Sequence, residues 1–314
     1  MKKSITVIGL GGVGGYFGFK LAQTYSVSPD VSITFVARNE TYTIVKDKGL
    51  TLLSAEHPNS SAYPNNLINN LHDLPVSDLV LLCVKEYDLE AVCVSIEDKI
   101  KDDTIILPLM NGADIYERIR KIISNGIVFP SCVYVASHIK EKACIEHKGK
   151  PGKIILGKDP FYQKFSSDTI VSLLKNAGID VEFKEDSLPD IWTKFFFIAS
   201  FGLVTARYNK SIGQVNEEDN LKMEVLTIMN EIKQIAILKK IKLSETIIQD
   251  TFEKAATFPY HTPTSLQLDV QSKKAQNELE LFAGTIIKYG KELGVEVPAT
   301  TKIYEEIKQL KIIL

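Results

Sequence analysis

The 314-residue chain has no uninterrupted apolar run near the roughly 18 residues that a membrane-spanning helix needs. Cysteine is scarce. Cys83, Cys93, Cys132 and Cys144 form no CxxC pair, and no histidine stands at metal-ligand spacing, which argues against a disulfide framework and a zinc site. Four unpaired cysteines are expected to be reduced, in a cytoplasmic protein. An excess of one charge is also missing. Lys and Arg number 37 against 39 Asp and Glu, a net −2, so neither nucleic acid nor an anionic membrane is expected as a partner. Repeats are absent, and the asparagine-rich "YPNNLINNL" is too short to count as low complexity. The opening "MKKSITVIGLGG" places two lysines before an apolar stretch, but that stretch is short, turns glycine-rich and lacks a small-residue cleavage site. It reads as a first β-strand.

What is present is the patterning of an ordinary globular chain, 45% hydrophobic and 24% charged, and long enough for about two domains. Segments 4–10, 31–37, 77–84, 104–110 and 126–136 are short, β-branched and apolar on successive positions, which suits strands buried on both faces of a parallel sheet. Helix candidates lie between them at 14–25, 40–49, 87–100 and 113–123, and further strands at 153–158 and 180–185. This alternation predicts a doubly wound α/β domain. After about residue 186 the period becomes helical, over 190–206, 217–241, 244–257, 263–293 and 299–312. Ser244 reads as an N-cap, and Gly294 and Pro298 as stop signals. The boundary falls in "KEDSLPD", giving a dinucleotide-binding domain over 1–187 and an all-helical domain over 188–314.

Gly9, Gly11 and Gly14 form G-x-G-x-x-G in "IGLGGVGGYFG", after a predicted strand and opening a predicted helix. In such a loop the first glycine turns the chain, the second admits a pyrophosphate to the backbone, and the third lets helix and sheet pack closely. The helix N-terminus then offers unpaired N–H groups to the anion. Residues Gly9 to Gly14, with Leu10, Gly12 and Val13 between, are therefore candidate cofactor contacts. The second strand ends "ITFVARNE", with Ala37 where NAD-binding proteins carry an acid and Arg38 next, so NADP is the expected cofactor. Glu40 is expected to face solvent. Lys85 and Asn111 close two further strands, at the carboxyl edge where ligands of open α/β sheets bind.

The helix "DIWTKFFFIASFGLVTA" reads as core, yet it carries one charged side chain after Asp190, Lys194. Lysine is among the residues least often fully buried. His138, after "VYVAS", is read as a core histidine in preference to a residue of the cleft.

Together "GLGGVGG", Arg38, "CVK", "MNG", "WTK" and "TSLQLDV…NELE…GKELGVEVP" resemble the ketopantoate reductase family, over nearly the whole chain and in the family's order. The resemblance implies an N-terminal Rossmann-type parallel sheet domain, an all-helical C-terminal domain, and reduction of ketopantoate to pantoate with NADPH in pantothenate and coenzyme A synthesis. It implies that Lys194 is the general acid facing the nicotinamide. A cation there stabilises charge developing on the carbonyl oxygen, and partial burial would ease proton release. It also implies that Glu278 binds substrate and balances Lys194, that Ser265 binds the substrate carboxylate, and that Asp269 supports it. Asn111, at its strand end, is an expected contact of cofactor or substrate, and the resemblance to a family that includes dimers makes a homodimer an expected assembly. Glu280, two positions from Glu278, faces another way. The chain departs from the family at the positions four and eight residues after Lys194, where members carry substrate-binding asparagines and this sequence has Ile198 and Gly202. That wall is apolar, so a more apolar 2-keto acid is an alternative substrate. A non-catalytic NADPH sensor is a third reading, disfavoured because a sensor needs no proton donor.

Overall fold

The run "KSITVI" forms β1 (Lys3–Ile8), in which Ile5, Val7 and Ile8 are almost fully buried. A strand apolar on successive positions needs cover on both faces, which a parallel sheet between helices provides. In the computed structural model, which describes residues 2–162, 166–273 and 276–313, the chain divides into two compact units. The first comprises Met1–Asn111 and Ile115–Ser187, the second Gly112–Asp114 and Leu188–Leu314.

In the first unit β1 is followed by α1 (Gly12–Tyr25), β2 (Val31–Val36), α2 (Asn39–Lys48), β3 (Leu50–Leu53), β4 (Ser60–Ala62) and β5 (Asn66–Ile68). Then come β6 (Leu79–Leu82), α3 (Glu86–Ile96), β7 (Ile105–Pro108), α4 (Ile115–Arg120) and β8 (Ile127–Val128). Six strands form an all-parallel sheet in the order β5-β2-β1-β6-β7-β8. Counted along the chain this is 3-2-1-4-5-6, the Rossmann order, and it reverses direction between β1 and β6.

The unit closes with β9 (Ser131–Tyr134), β10 (Ser137–Glu141), β11 (Cys144–His147), β12 (Lys153–Gly157), α5 (Asp168–Asn176) and β13 (Asp180–Lys184). The single strand expected over 126–136 is two, and they belong to different sheets: β8 ends the large sheet, while β9 joins β12 and β13 in a three-stranded one. Pro130, between them, has no N–H for a ladder. Its carbonyl instead accepts from the Gly157 amide at 2.8 Å and the Ser187 hydroxyl at 2.7 Å, which turns the chain from one sheet to the next.

A four-stranded sheet, β10-β11-β3-β4, has no counterpart in the sequence reading. It lies against the start of α1: a Cβ on Gly12 would stand 2.6 Å from the Ser137 carbonyl oxygen, and one on Gly15 would stand 2.4 Å from Ile145. His138 lies in this sheet and is not a core histidine. It is exposed and pairs with Glu146 of the neighbouring strand at 3.3 Å.

Asp78, just before β6, ties that strand to β1 by accepting from Lys3 Nζ (2.6 Å), the Ser4 amide (2.8 Å) and the Ser4 hydroxyl (3.0 Å). Burial alone would raise its carboxyl, but the bonds from Lys3 and Ser4 outweigh that and hold it below the ordinary value. A depressed folded-state value stabilises the protein above the carboxyl's ordinary range, and the contribution is lost as pH falls through it. Asp78→Asn should therefore lower stability by about 1 kcal/mol at neutral pH, with the difference from wild type shrinking at an acid pH below the ordinary carboxyl range. Urea unfolding at the two pH values checks this.

The second unit is all helical: α6 (Leu188–Tyr208), α7 (Ile212–Glu217), α8 (Asp219–Leu238), α9 (Ile247–Ala256), α10 (Ser265–Gln271), α11 (Thr285–Leu293) and α12 (Pro298–Ile313). Its core contains Trp192, Phe195, Phe196, Phe201, Phe282 and Tyr289, all under 2% exposed. The helix expected over 263–293 is broken. The left-handed backbone of Lys273 (φ 53°) follows the end of α10, residues 274–275 lie outside the described residues, and a π-helical turn at Glu280–Gly284 leads into α11. The helix predicted from Ser244 begins at Ile247. Ser244 instead accepts from the Thr246 amide in the preceding turn. Gly294, left-handed at φ 70°, ends α11 as expected, but Pro298 opens α12, where a missing N–H costs nothing.

Residues 112–114, expected in the first domain, group with the second unit. The reason is Asp114, fully buried, whose carboxylate accepts from Lys288 Nζ at 2.6 Å and from the Thr285 hydroxyl at 3.4 Å. Glu231 on α8, also buried, accepts from the Ala299 amide (2.7 Å), the Thr300 amide (3.0 Å) and the Thr300 hydroxyl (2.5 Å), and so caps α12 from another helix.

Candidate active site

In the first unit, a cleft of about 700 Å3 opens at the carboxyl ends of β1, β2 and β6, where the strand order reverses. Each glycine of the motif has its own reason there. Gly9 is left-handed (φ 92°), and a Cβ on it would lie 2.7 Å from the Cys83 carbonyl oxygen. A Cβ on Gly14 would lie 1.9 Å from the Gly9 carbonyl oxygen, so α1 and β1 approach as closely as they do only without a side chain. A Cβ on Gly11 would meet nothing within 4 Å, and Gly11 lines the cleft. That open position is where a pyrophosphate needs backbone access. Gly11 is also the N-cap of α1, with no side-chain cap and no acid in the first turn, so the helix presents bare N–H groups and a partial positive charge. These features fit a dinucleotide.

Of the expected cofactor residues, Gly9, Leu10, Gly11, Arg38 and Lys85 line this one cleft. Gly12, Val13 and Gly14 shape the first turn of α1 behind it. Asn111, half-buried after β7, is not among the cleft's lining residues. Arg38 is the N-cap residue of α2, and Lys85 holds the same place on α3. Glu40 is exposed, as expected, yet borders the cleft. The sequence reading missed Asp88, in the first turn of α3, which accepts from Arg38 Nη2 at 2.9 Å. It also missed Ile139 and Lys142, which the β10–β11 hairpin brings to the rim. A partner fifty residues away leaves no periodic trace in a sequence.

In the second unit, α6 runs unbroken through Lys194, Ile198 and Gly202, so their spacing of four sets all three on one face. Lys194 and Ile198 are half-buried, and Gly202 is buried, with Phe282 3.7 Å from where its Cβ would stand. The hydroxyls of Ser200 and Thr205 do not replace the missing amides on that face. They donate to the carbonyls of Phe196 (2.7 Å) and Phe201 (2.8 Å) inside α6. Thr205 also bonds Thr264 at 2.7 Å, and Thr264 caps α10 through a capping box with Gln267. These contacts fix the start of α10, where Ser265 is exposed; Asp269 on the same helix is buried.

Glu278 is only 4% exposed and precedes the π-helical turn. Glu280 is exposed and accepts from the Tyr304 hydroxyl, so the two carboxylates differ as their spacing required. Asn277, also buried, was not singled out in the sequence. Its Oδ1 accepts from the Leu279 amide, and its Nδ2 is a buried donor with no hydrogen-bond partner among the described residues. No group of three or more His, Cys, Asp or Glu among the described residues is placed to hold a metal, and none of the described helices is long and apolar enough to cross a membrane.

A Rossmann-type sheet with an uncapped glycine-rich turn at its switch point is the arrangement of dinucleotide-binding proteins, and here an all-helical unit follows it. The model of the ketopantoate reductase PanE/ApbA family matches residues 5–160, and that of its C-terminal part matches 186–311. The chain belongs to the ketopantoate reductase PanE/ApbA family. It is 22% identical over 302 residues to an uncharacterized oxidoreductase, YkpB, of Bacillus subtilis, covering 96% of this chain and 97% of that one. The crystal structure of a PanE/ApbA family ketopantoate reductase from Ralstonia eutropha superposes with a TM-score of 0.88 at 20% identity, covering 99% of both chains. That of D-mandelate dehydrogenase with NADH and anilino(oxo)acetate gives 0.84 at 19% identity, again over 99% of each.

Proposed function

We propose that the protein reduces the keto group of a 2-keto acid with NADPH, and that ketopantoate (2-dehydropantoate) is the substrate, which places it in pantothenate and coenzyme A synthesis. The observation that carries this reading is the presence in the helical unit of two ionisable residues drawn in from solvent, a half-buried Lys194 on α6 and a buried Glu278. The first unit, residues 1–187 in outline, serves as the dinucleotide-binding domain, with the α1 N-terminus on the pyrophosphate and Arg38 on the ribose 2′-phosphate. Bound in that cleft, the nicotinamide supplies the hydride. Lys194 then holds the substrate carbonyl oxygen, stabilises the charge that develops on it and gives it a proton. Glu278 accepts a hydrogen bond from substrate and balances the Lys194 charge. Ser265, at the first position of α10, takes the substrate carboxylate with Asp269 in support, and Asn111 orients substrate and cofactor.

A second reading, a more apolar 2-keto acid, rests on the face of α6. Ile198 and Gly202 offer no side-chain hydrogen bond, the Ser200 hydroxyl is spent within the helix, and that of Thr205 is spent within the helix and on Thr264. An apolar wall discriminates weakly for a substrate hydroxyl. The D-mandelate dehydrogenase likeness supports this reading, since that fold holds an aryl keto-acid analogue. The deciding measurement is NADPH oxidation with ketopantoate and with 2-oxoisovalerate, which lacks the hydroxymethyl group. A kcat/KM for ketopantoate at least about tenfold higher is expected, the size of one well-made hydrogen bond to the substrate. Equal rates or the opposite preference would replace the substrate and keep the chemistry. No turnover with either acid, despite NADPH binding, would favour a sensor.

A further inference from the structure

The cofactor cleft contains a charge arrangement that the glycine motif does not require. Arg38, reached from the end of β2, donates through Nη2 to Asp88 Oδ2 at 2.9 Å, and both residues line the cleft. The Arg38 side chain is 68% exposed and that of Asp88 28%. Ala37, at the strand end, offers no carboxylate, and Glu40, on the same cleft, makes no ion pair with Arg38. Asp88 is therefore the acid that faces the arginine.

We propose that Asp88 sets cofactor discrimination: its carboxylate holds Arg38 and reduces the advantage of a 2′-phosphorylated nicotinamide dinucleotide over the unphosphorylated one. This rests on the reading that the cleft binds such a dinucleotide with Arg38 beside the adenosine ribose. An exposed Arg–Asp pair is weak, so Arg38 can change partners. Asp88 does not leave when it does. Any phosphate that takes Arg38 comes to rest within a few ångströms of a carboxylate, and like charges at that range repel. A ribose 2′-hydroxyl meets no such repulsion and can donate to Asp88, the service that an acid at the end of β2 performs in NAD-binding proteins. Asp88 also sits in the first turn of α3, where the helix dipole favours a negative charge. The cleft thus carries both determinants, the arginine for a 2′-phosphate and the acid against it. Specificity is a difference of affinities, and a repulsive element shapes it as much as an attractive one.

The test is a cycle of Asp88→Asn, Arg38→Ala and the double variant, reading dissociation constants of NADPH and NADH by fluorescence titration. Adenosine 2′,5′-bisphosphate and AMP serve as fragments that isolate the phosphate. Asparagine keeps the shape of the aspartate at a partly solvated position, so folding is preserved, and circular dichroism confirms it. In Asp88→Asn the preference for NADPH over NADH should rise about tenfold, the effect of removing one like charge at a few ångströms, and the bisphosphate should gain over AMP in parallel. In the Arg38→Ala background the Asp88→Asn effect should shrink, because the two residues act as a pair. A preference unchanged within about twofold in Asp88→Asn, while Arg38→Ala abolishes it, overturns the proposal and leaves the cofactor reading standing. Failure of the unmodified protein to bind either dinucleotide overturns both.

Discussion

Lys194→Ala lowers kcat for keto-acid reduction by about two to four orders of magnitude, the range for loss of a positioned acid that also stabilises an oxyanion. The dissociation constant of NADPH, which the proposed function assigns to the glycine-rich cleft, should change by less than about threefold, because Lys194 is not among the residues lining that cleft and its loss falls on kcat. The expectation follows from the composition of α6. Between Asp190 and Arg207 that helix has one charged side chain, and its neighbours Phe195, Phe196 and Phe197 are buried. Alanine is the most favourable helix residue, so the variant keeps α6 and its packing while removing the ammonium. Ile198 and Gly202, the next two positions on that face, have no donor side chain, and the Ser200 hydroxyl is bonded within the helix. Steady-state turnover together with a cofactor titration separates the two quantities. Turnover within about threefold of wild type would show that another group supplies the proton.

The largest effect on stability is expected at Glu231. Its carboxylate accepts three hydrogen bonds at the start of α12, two of them from backbone amides that no helical carbonyl can satisfy. Glu231→Ala leaves those donors and the buried Thr300 hydroxyl without a partner, and removes a negative charge from a helix N-terminus. The combined cost is about 3 kcal/mol. Glu231→Gln retains one acceptor oxygen and should lose roughly half as much. Urea unfolding of the three proteins gives the order wild type, Gln, Ala. A loss below about 1 kcal/mol for the alanine variant would mean that water or a neighbouring side chain caps α12 equally well.

The division of the chain into a parallel-sheet half and a helical half was legible because both signals are local and periodic. Apolar β-branched runs alternate with helical ones up to about residue 186, and helical spacing persists thereafter. The cleft was legible through its glycines, since φ and Cβ clearance at Gly9 and Gly14 leave room for no other residue. The four-stranded sheet was not legible. Its strands are short, and β10, "SHIKE", is mostly exposed, so it lacks the burial pattern that marks a strand. The Asp88–Arg38 pair and the Glu231 cap escaped for a different reason. Each joins residues fifty or more positions apart, and charged side chains on helix faces look alike in a sequence whether or not they meet a partner. The break after α10 was missed because a lysine, not a glycine, takes the left-handed conformation at 273.

The grouping of Gly112–Asp114 with the helices bears on how such a protein can be taken apart. The polypeptide passes between the two units three times, after residues 111, 114 and 187. The helical unit is consequently not a cassette. A fragment beginning at Leu188 would lack Asp114, the buried carboxylate that receives Lys288 and Thr285. Grafting that unit onto another dinucleotide-binding scaffold would have to carry a three-residue insert with it, spliced in after the strand that corresponds to β7.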